Sequence, residues 1–443
     1  MPVTSRVLLF VIAVLALPNL AAAQTSAALA PEEEALVGYI DRHFETQAGF
    51  LERIVNINSE TMNHAGVRRV ADIFDDELGA LGFDTRWIDM RETLNRAGHL
   101  VSDREGERGA RLLLIGHMDT VHPPDGPFQT FEREGNRATG PGIDDMKNGL
   151  VVILYALKAL EEIGALSGSD ITVFMTGEEE MPGASIEQAR APLIDEARKA
   201  DIALNFESGE TGVAVTSRRG YTGWRLETTG RSSHSSQIFS DEVGAGAIYE
   251  LSRILTTFYE TLRAEPLLTF NVGAVVGGTR AEFDSASTSG EVFGKVNVVP
   301  VKAITEGDIR AISVEQVERV VGKMRGIVAD NLPHTSAKLT VFDGYPPMSP
   351  TPQNAELLAM YSDISEAIGA GPLEANDPLE RGASDISFVA PVVNAALDGL
   401  GGYGGGAHTP DEWIDLETMR AATKRAAVLI YRLTREDAPR FAD

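Results

Sequence analysis

The chain has no cysteine among its 443 residues. That absence removes thiolate nucleophiles, disulfide frameworks and cysteine-bound zinc. Any metal must be held by histidine, aspartate and glutamate. Positive charge is also scarce. Lys and Arg total 39 against 65 Asp and Glu, and the net charge of -26 argues against nucleic acid or an anionic membrane as a partner. A local basic pocket can still sit in an acidic protein, so an anionic substrate stays open. Beyond the N-terminus no apolar run is long enough to cross a bilayer. Hydrophobic residues make up 43% and charged residues 23%, an ordinary globular balance, and the length implies two or three domains.

The first residues read as a targeting segment. Arg6 gives a short positive region, 7–17 is apolar, and Pro18 and Ala21-Ala22-Ala23 precede Gln24. These are the three parts of a secretory signal over 1–23. The apolar run is short for a membrane span, although an uncleaved anchor is the alternative reading. The expectation is a secreted, periplasmic protein without stable membrane insertion after cleavage.

From Pro31 a helix begins, with Glu32-Glu33-Glu34 at its positive dipole end. Leu36, Ile40, Phe44 and Phe50-Leu51 fit one helical face. A helix over 65–81 follows, then strands over 83–90 and 111–115, a helix over 146–163, and strands over 171–176 and 202–206. This alternation argues for an α/β architecture with a mainly parallel sheet. The middle differs: strand 222–229, helix 243–262, strands 267–276 and 290–299, helix 314–330, strand 337–343. That β-α-β-β-α-β order is the ferredoxin-like unit. The expected division is a catalytic domain over 24–212 and 347–443, with an α+β domain inserted over 213–346.

The chemistry starts at Leu112-Leu113-Leu114-Ile115-Gly116-His117-Met118-Asp119-Thr120. An apolar run ends in His117 and Asp119, which an extended chain turns to the same side. A metal-binding histidine usually has its other ring nitrogen held by a carboxylate or carbonyl. Alone, a histidine after a strand is more often structural. Further acids follow. Gly140-Pro141-Gly142-Ile143-Asp144-Asp145 places two carboxylates at a helix start, where Asp144 reads as a helix cap. Thr176-Gly177-Glu178-Glu179-Glu180 and Asn205-Phe206-Glu207 place acids at the carboxyl ends of apolar strands, where open α/β sheets hold their sites. Gly404-Gly405-Gly406-Ala407-His408-Thr409-Pro410-Asp411-Glu412 adds a histidine after a flexible run. Each has a bland explanation. Together they suit a two-metal hydrolytic site with cations about 3.5–4 Å apart. Zinc is the default for imidazole with carboxylate, with cobalt or manganese as substitutes.

These motifs resemble those of the M20 family of co-catalytic metallopeptidases, and most of all its glutamate carboxypeptidase branch. The similarity runs from about Pro31 to the C-terminus. By position, the resemblance implies that His117 and Glu207 hold one Zn2+, that Glu180 and His408 hold the other, and that Asp145 bridges both. Asp119 would orient His117. Glu179 would be the general base, taking a proton from water and passing it to the leaving amine. A register slipped by one would instead make Glu178 the base and Glu179 the ligand.

The inserted domain carries further matches. Gly230-Arg231-Ser232-Ser233-His234-Ser235 matches the family's lid histidine, which stabilises the developing oxyanion, typically across a dimer. Asn297 and Arg310 match the lid residues that bind the substrate's free carboxylate, and an Arg fork suits that group in geometry. Gly405 falls in the glycine stretch lining the family's substrate pocket. The resemblance thus implies a homodimer through the lid. The chain departs from the pattern at Asn148, where Gly is usual, and at Met181-Pro182-Gly183, where a Gly-Ser type turn is common. His122 is not a family ligand and reads as a supporting or exposed residue. His43, His64, His99 and His334 take no role.

The expected activity is hydrolysis of an amide next to a free carboxylate in a small peptide or N-acyl amino acid, releasing a C-terminal amino acid, with glutamate favoured. N-acyl-amino-acid deacylation and dipeptide cleavage are the nearest rivals. A non-catalytic periplasmic metal- or ligand-binding protein is the rival of another class, and it has no use for Glu179 beside a full ligand set.

Overall fold

The computed structural model describes residues 28–342, 344–438 and 441. The expected signal, 1–23, lies outside the described residues. Six strands form the main sheet, in the order Asp84–Asp89, Gly98–Arg104, Ser169–Thr176, Arg108–His117, Ile202–Asn205, Ala395–Leu397. The last four run parallel and the first two join antiparallel at one edge.

The run Leu112-Leu113-Leu114-Ile115 crosses the middle of this sheet at no more than 1% exposure. Its pleat sends Leu112 and Leu114 into a layer of helices that includes Asn148–Glu162 and Leu416–Leu433. Leu113 and Ile115 face the other way, against Leu193 and Ala197 of the helix Ile186–Ala197. Burial on both faces is why the strand reads as a continuous apolar run. Replacing Leu114 by Ala would cost roughly 2–5 kcal/mol, because so enclosed a site cannot collapse around the cavity. Parallel strands deliver their carboxyl ends to one edge. There His117 pairs with Thr176, and Ile115 pairs with Asn205.

A second sheet has the order Thr269–Gly278, Lys302–Arg310, Thr222–Thr229, Ser336–Phe342, all antiparallel. Helices Ala247–Leu262 and Val314–Ala329 cover one face, closing a small core around Trp224, Phe258, Ile309 and Met324. This is the β-α-β-β-α-β unit expected, with one strand corrected. The segment 290–299 is not in this sheet. Ser289–Phe293 instead forms an exposed hairpin with Arg280–Asp284, and Lys302–Arg310 takes its place. The insertion also begins later than position 213. Val213 and Ala214 pair with Glu374 and Ala375, and Arg218 bridges to Met348, so these residues stay with the first layer.

Candidate metal centre

His117 ends its strand with Nδ1 3.0 Å from the backbone carbonyl of Asp119. A carbonyl only accepts, so in the neutral ring Nδ1 carries the proton and Nε2 is free to bind. That Nε2 lies 3.0 Å from Asp145 Oδ1 and 3.7 Å from Glu207 Oε1. The other oxygen of Asp145 is 3.3 Å from His408 Nε2, which is 3.1 Å from Glu180 Oε2. Two groups result: His117, Asp145 and Glu207, and Asp145, Glu180 and His408. Within each, the ligand atoms lie within 4.8 Å of one another, and Asp145 belongs to both. The structure thus gathers at one strand edge the residues that the motifs singled out.

Close backbone approaches make this convergence feasible. Asp145 sits in an irregular turn, Ile143–Lys147, that precedes the helix Asn148–Glu162. A Cβ on Gly149 would stand 1.8 Å from the Phe206 carbonyl oxygen, so only glycine lets this helix start beside Glu207. The His408 loop is anchored by a small sheet. Gly404–Gly405 pairs with Trp413–Asp415, which pairs with Arg137–Thr139, just before the Asp145 turn. A Cβ on Gly404 would meet Trp413 O at 2.0 Å and Asp144 Oδ1 at 2.5 Å. Asn148, the departure from the usual glycine, stitches the loops together. Its amide donates to the carbonyls of Ile143 and Asp144, and its oxygen accepts from Gly402 N.

The electrostatics call for added positive charge. Burial, reinforced by Asp145, pushes the Glu207 carboxyl up to about 8. Burial likewise raises Glu180, whose Oε1 is buried without a hydrogen-bond partner. Asp145 goes the other way: burial works to raise it, but hydrogen bonds from His117 and His408 hold it below the usual carboxylate range. His408 is drawn up to about 10 by its hydrogen bonds to Asp145 and Glu180. Crowded carboxylates, an orphaned oxygen and imidazoles that gain protons are what a divalent pair would relieve, so this N/O donor set fits cations.

The chain matches Peptidase family M20/M25/M40 over residues 113–432. It belongs to that family. Over 395 residues it is 27% identical to carboxypeptidase G2 of a Pseudomonas species, spanning 86% of this chain and 88% of that one. Over 386 residues it is 25% identical to an acetylornithine deacetylase of Pectobacterium carotovorum, spanning 83% and 91%. Among solved structures, aminopeptidase PepT of Bacillus cereus matches with a TM-score of 0.70 at 18% identity, over 88% of this chain and 98% of its own. At that identity the likeness speaks for the fold. The M20 chain is a metal-dependent hydrolase of the metallopeptidase and amidohydrolase group.

Within this M20 site, Glu178 faces away. It is fully buried in an ion pair with Arg190, which also pairs with Asp385 at 2.6 Å. Glu179 follows with its carboxyl raised well above the ordinary range by burial, against the opposing charge of His117. Its carbonyl accepts the Tyr345 hydroxyl at 3.2 Å. Asp119 meets His117 through its backbone, and the reading of Asp144 as a helix cap is corrected. Asp119 holds His117 through its carbonyl, while its carboxylate stands 3.6 Å off and accepts the N–H groups of Glu179 at 3.0 Å and Glu180 at 3.2 Å. Asp144 caps nothing. Its Oδ1 is buried without a partner, and burial, with Glu412 and Asp145 nearby, pushes its carboxyl up to about 8.

The lid residues fall into two places. His234 and Asn297 are neighbours, with Ser235 N donating to the Asn297 carbonyl at 2.9 Å. Among the described residues neither bonds to a candidate ligand. Arg310 lies elsewhere, over the Tyr221 ring, with Nε 2.9 Å from Asp308. Gly405 is half-buried against Trp413. Sequence reasoning missed Arg190 and Asp385, which carry no motif. It also gave no role to Glu412, although Glu412 ends the His408 motif, and it left His122 open. Both are buried, and they are bonded to each other.

Proposed function

We propose that this M20 hydrolase is a dizinc carboxypeptidase, cleaving an amide next to a free carboxylate and releasing a C-terminal amino acid, glutamate above others. The sharing of Asp145 between two ligand groups, with Glu179 beside them, carries the reading. His117 and Glu207 would hold one ion, Glu180 and His408 the other, and Asp145 both. When bound, such a pair supplies Lewis acidity toward the scissile carbonyl and toward water. Glu179 takes the proton of the attacking water and hands it to the leaving amine. Asp119 steadies that step by pinning the backbone of Glu179 and Glu180. His234, brought in by lid closure and from a partner subunit, stabilises the oxyanion.

Arg310 receives the substrate carboxylate, and Asn297, which lies apart from it in this structure, joins it with Gly405 on closure of the inserted domain or from a partner subunit. Arg219, Arg310 and Arg381 line one cavity of about 100 Å3 together with Glu380, a net positive lining in a chain of net charge -26. That supports an acidic substrate. The N-terminal pattern at 1–23 supports secretion to the periplasm. The acetylornithine deacetylase likeness favours a second reading, deacylation of an N-acyl amino acid. The test compares apo and zinc-loaded protein on peptidyl and N-acyl amino acids that differ in the C-terminal residue. Zinc-dependent release of glutamate above other residues is expected. Turnover of acyl-ornithine-like substrates alone would favour the second reading, and no hydrolysis at all would overturn both.

A further inference from the structure

Glu412 is fully buried, and its carboxylate is used up on one turn and one ring. Oε1 accepts the N–H of Asp144 at 2.8 Å and of Asp145 at 3.0 Å. Oε2 accepts the N–H of Gly142 at 2.9 Å and lies 2.6 Å from His122 Nε2. A buried carboxylate is costly unless its lone pairs are satisfied. Here each oxygen has two donors, so the group is built into the fold.

The identity of those donors gives the group its meaning. The turn that projects Asp145 is irregular. Gly142 has φ +70, and Asp145 itself lies outside the helical region at φ -112, ψ 96. No regular ladder satisfies the N–H groups of Gly142, Asp144 and Asp145, and Glu412 does so instead. Glu412 also stands four residues past His408, on that histidine's own loop. His122 stands five past His117, with its carbonyl held by the Asn58 side chain at 2.9 Å and its ring against Phe128. One carboxylate therefore joins the loops that bear His117, Asp145 and His408.

We propose that Glu412 is a positioning residue: with His122 it holds the Asp145 turn in the shape that places both carboxylate oxygens of Asp145 between the two cation sites. The inference rests on reading Asp145 as a ligand to both ions. Glu412 itself touches neither ion nor substrate. A bridging carboxylate must serve two centres at once, so a small shift of its backbone spoils both, and supports of this kind typically matter about 10- to 100-fold in metal affinity.

The experiment strips the full-length protein of metal and titrates it with Zn2+, and with Co2+ as a visible probe. The wild-type chain should take two equivalents. Glu412→Gln is isosteric and keeps one accepting oxygen. It should retain a cooperative melting transition while the weaker equivalent loses about 10- to 100-fold in affinity, the Co2+ spectrum of the pair changes, and kcat falls with KM unchanged. His122→Phe leaves Glu412 with its three backbone donors and should weaken metal binding less. A folded Glu412→Gln protein that binds two equivalents with wild-type affinity and spectrum overturns the proposal. If Glu412→Gln does not fold, His122→Phe decides: weakened binding supports the proposal and wild-type binding overturns it. A wild-type chain that binds neither ion would instead overturn the metal reading itself.

Discussion

The carboxylate of Glu178 is paired with the guanidinium of Arg190 where neither side chain reaches solvent. In a row of three glutamates this pair sets the roles. Glu178 is committed to the core, Glu180 faces His408, and Glu179 remains between them with no ion-pair partner among the described residues.

Glu179→Gln should therefore keep its metal and lose turnover, by about 10²- to 10⁴-fold in kcat for the lost general base. Metal content measured beside kcat checks it. If the register were shifted by one, Glu178→Gln would show that behaviour instead.

Arg190→Met should be costly for stability. It leaves the buried carboxylates of Glu178 and Asp385 without their shared cation. Breaking a buried pair from one side costs about 3–5 kcal/mol. Urea unfolding measures this, and a loss under 1 kcal/mol, as for an exposed pair, would contradict it.

Much of this was legible in the chain, and the exceptions have physical causes. The doubly buried strand ending at His117 announces itself because both of its faces are apolar. Strand Gly98–Arg104 is just as buried over its first residues but carries His99 and Ser102, which break its apolar signal. In the inserted domain, the β-branched and aromatic run at 290–299 promised a strand in its four-stranded sheet, but propensity does not say which sheet a strand joins. The candidate ligands were readable because His117, Glu180 and Glu207 follow apolar strands, while Asp145 and His408 stand in motifs that resemble the family's. Arg190 and Asp385 were not, since a buried ion pair forms between elements far apart in sequence.

Removing metal should lower the melting temperature, because ions that bind only the folded chain stabilise it, by about 2.7 kcal/mol at a hundredfold excess over Kd. Chelation followed by calorimetry should show the drop, and added Zn2+ should restore it. Asp145→Ala should show neither change.

Below neutral pH, His99 should set part of the acid sensitivity. Burial, aided by Arg190, lowers its folded pKa from 6.5 to about 4. Between those values the unfolded chain binds a proton that the folded chain refuses. The contribution is complete above pH 6.5 and is lost as pH falls toward about 4, some 3 kcal/mol in all. His99→Gln should flatten the slope of unfolding free energy against pH by one proton across that window. An unchanged slope would contradict the assignment.

Arg310→Met should raise KM about 10- to 100-fold for substrates with a free C-terminal carboxylate and leave kcat near its original value, since a charge-assisted hydrogen bond contributes about 1.5–3 kcal/mol. Amidated substrates should not notice the change. Initial rates on the paired substrates separate the two.

The second ligand group is completed only by His408, after the whole inserted unit has been made. During synthesis the chain must therefore emerge almost to its end before a second ion can be held. The closure that brings His408 to Asp145 spans far more chain than any loop within the first layer, so it belongs to the slow, non-local end of folding. A chain cut short before His408 loses the second ligand group together with the helix Leu416–Leu433 that covers the main sheet, so metal binding and the core are completed by the same last stretch of chain.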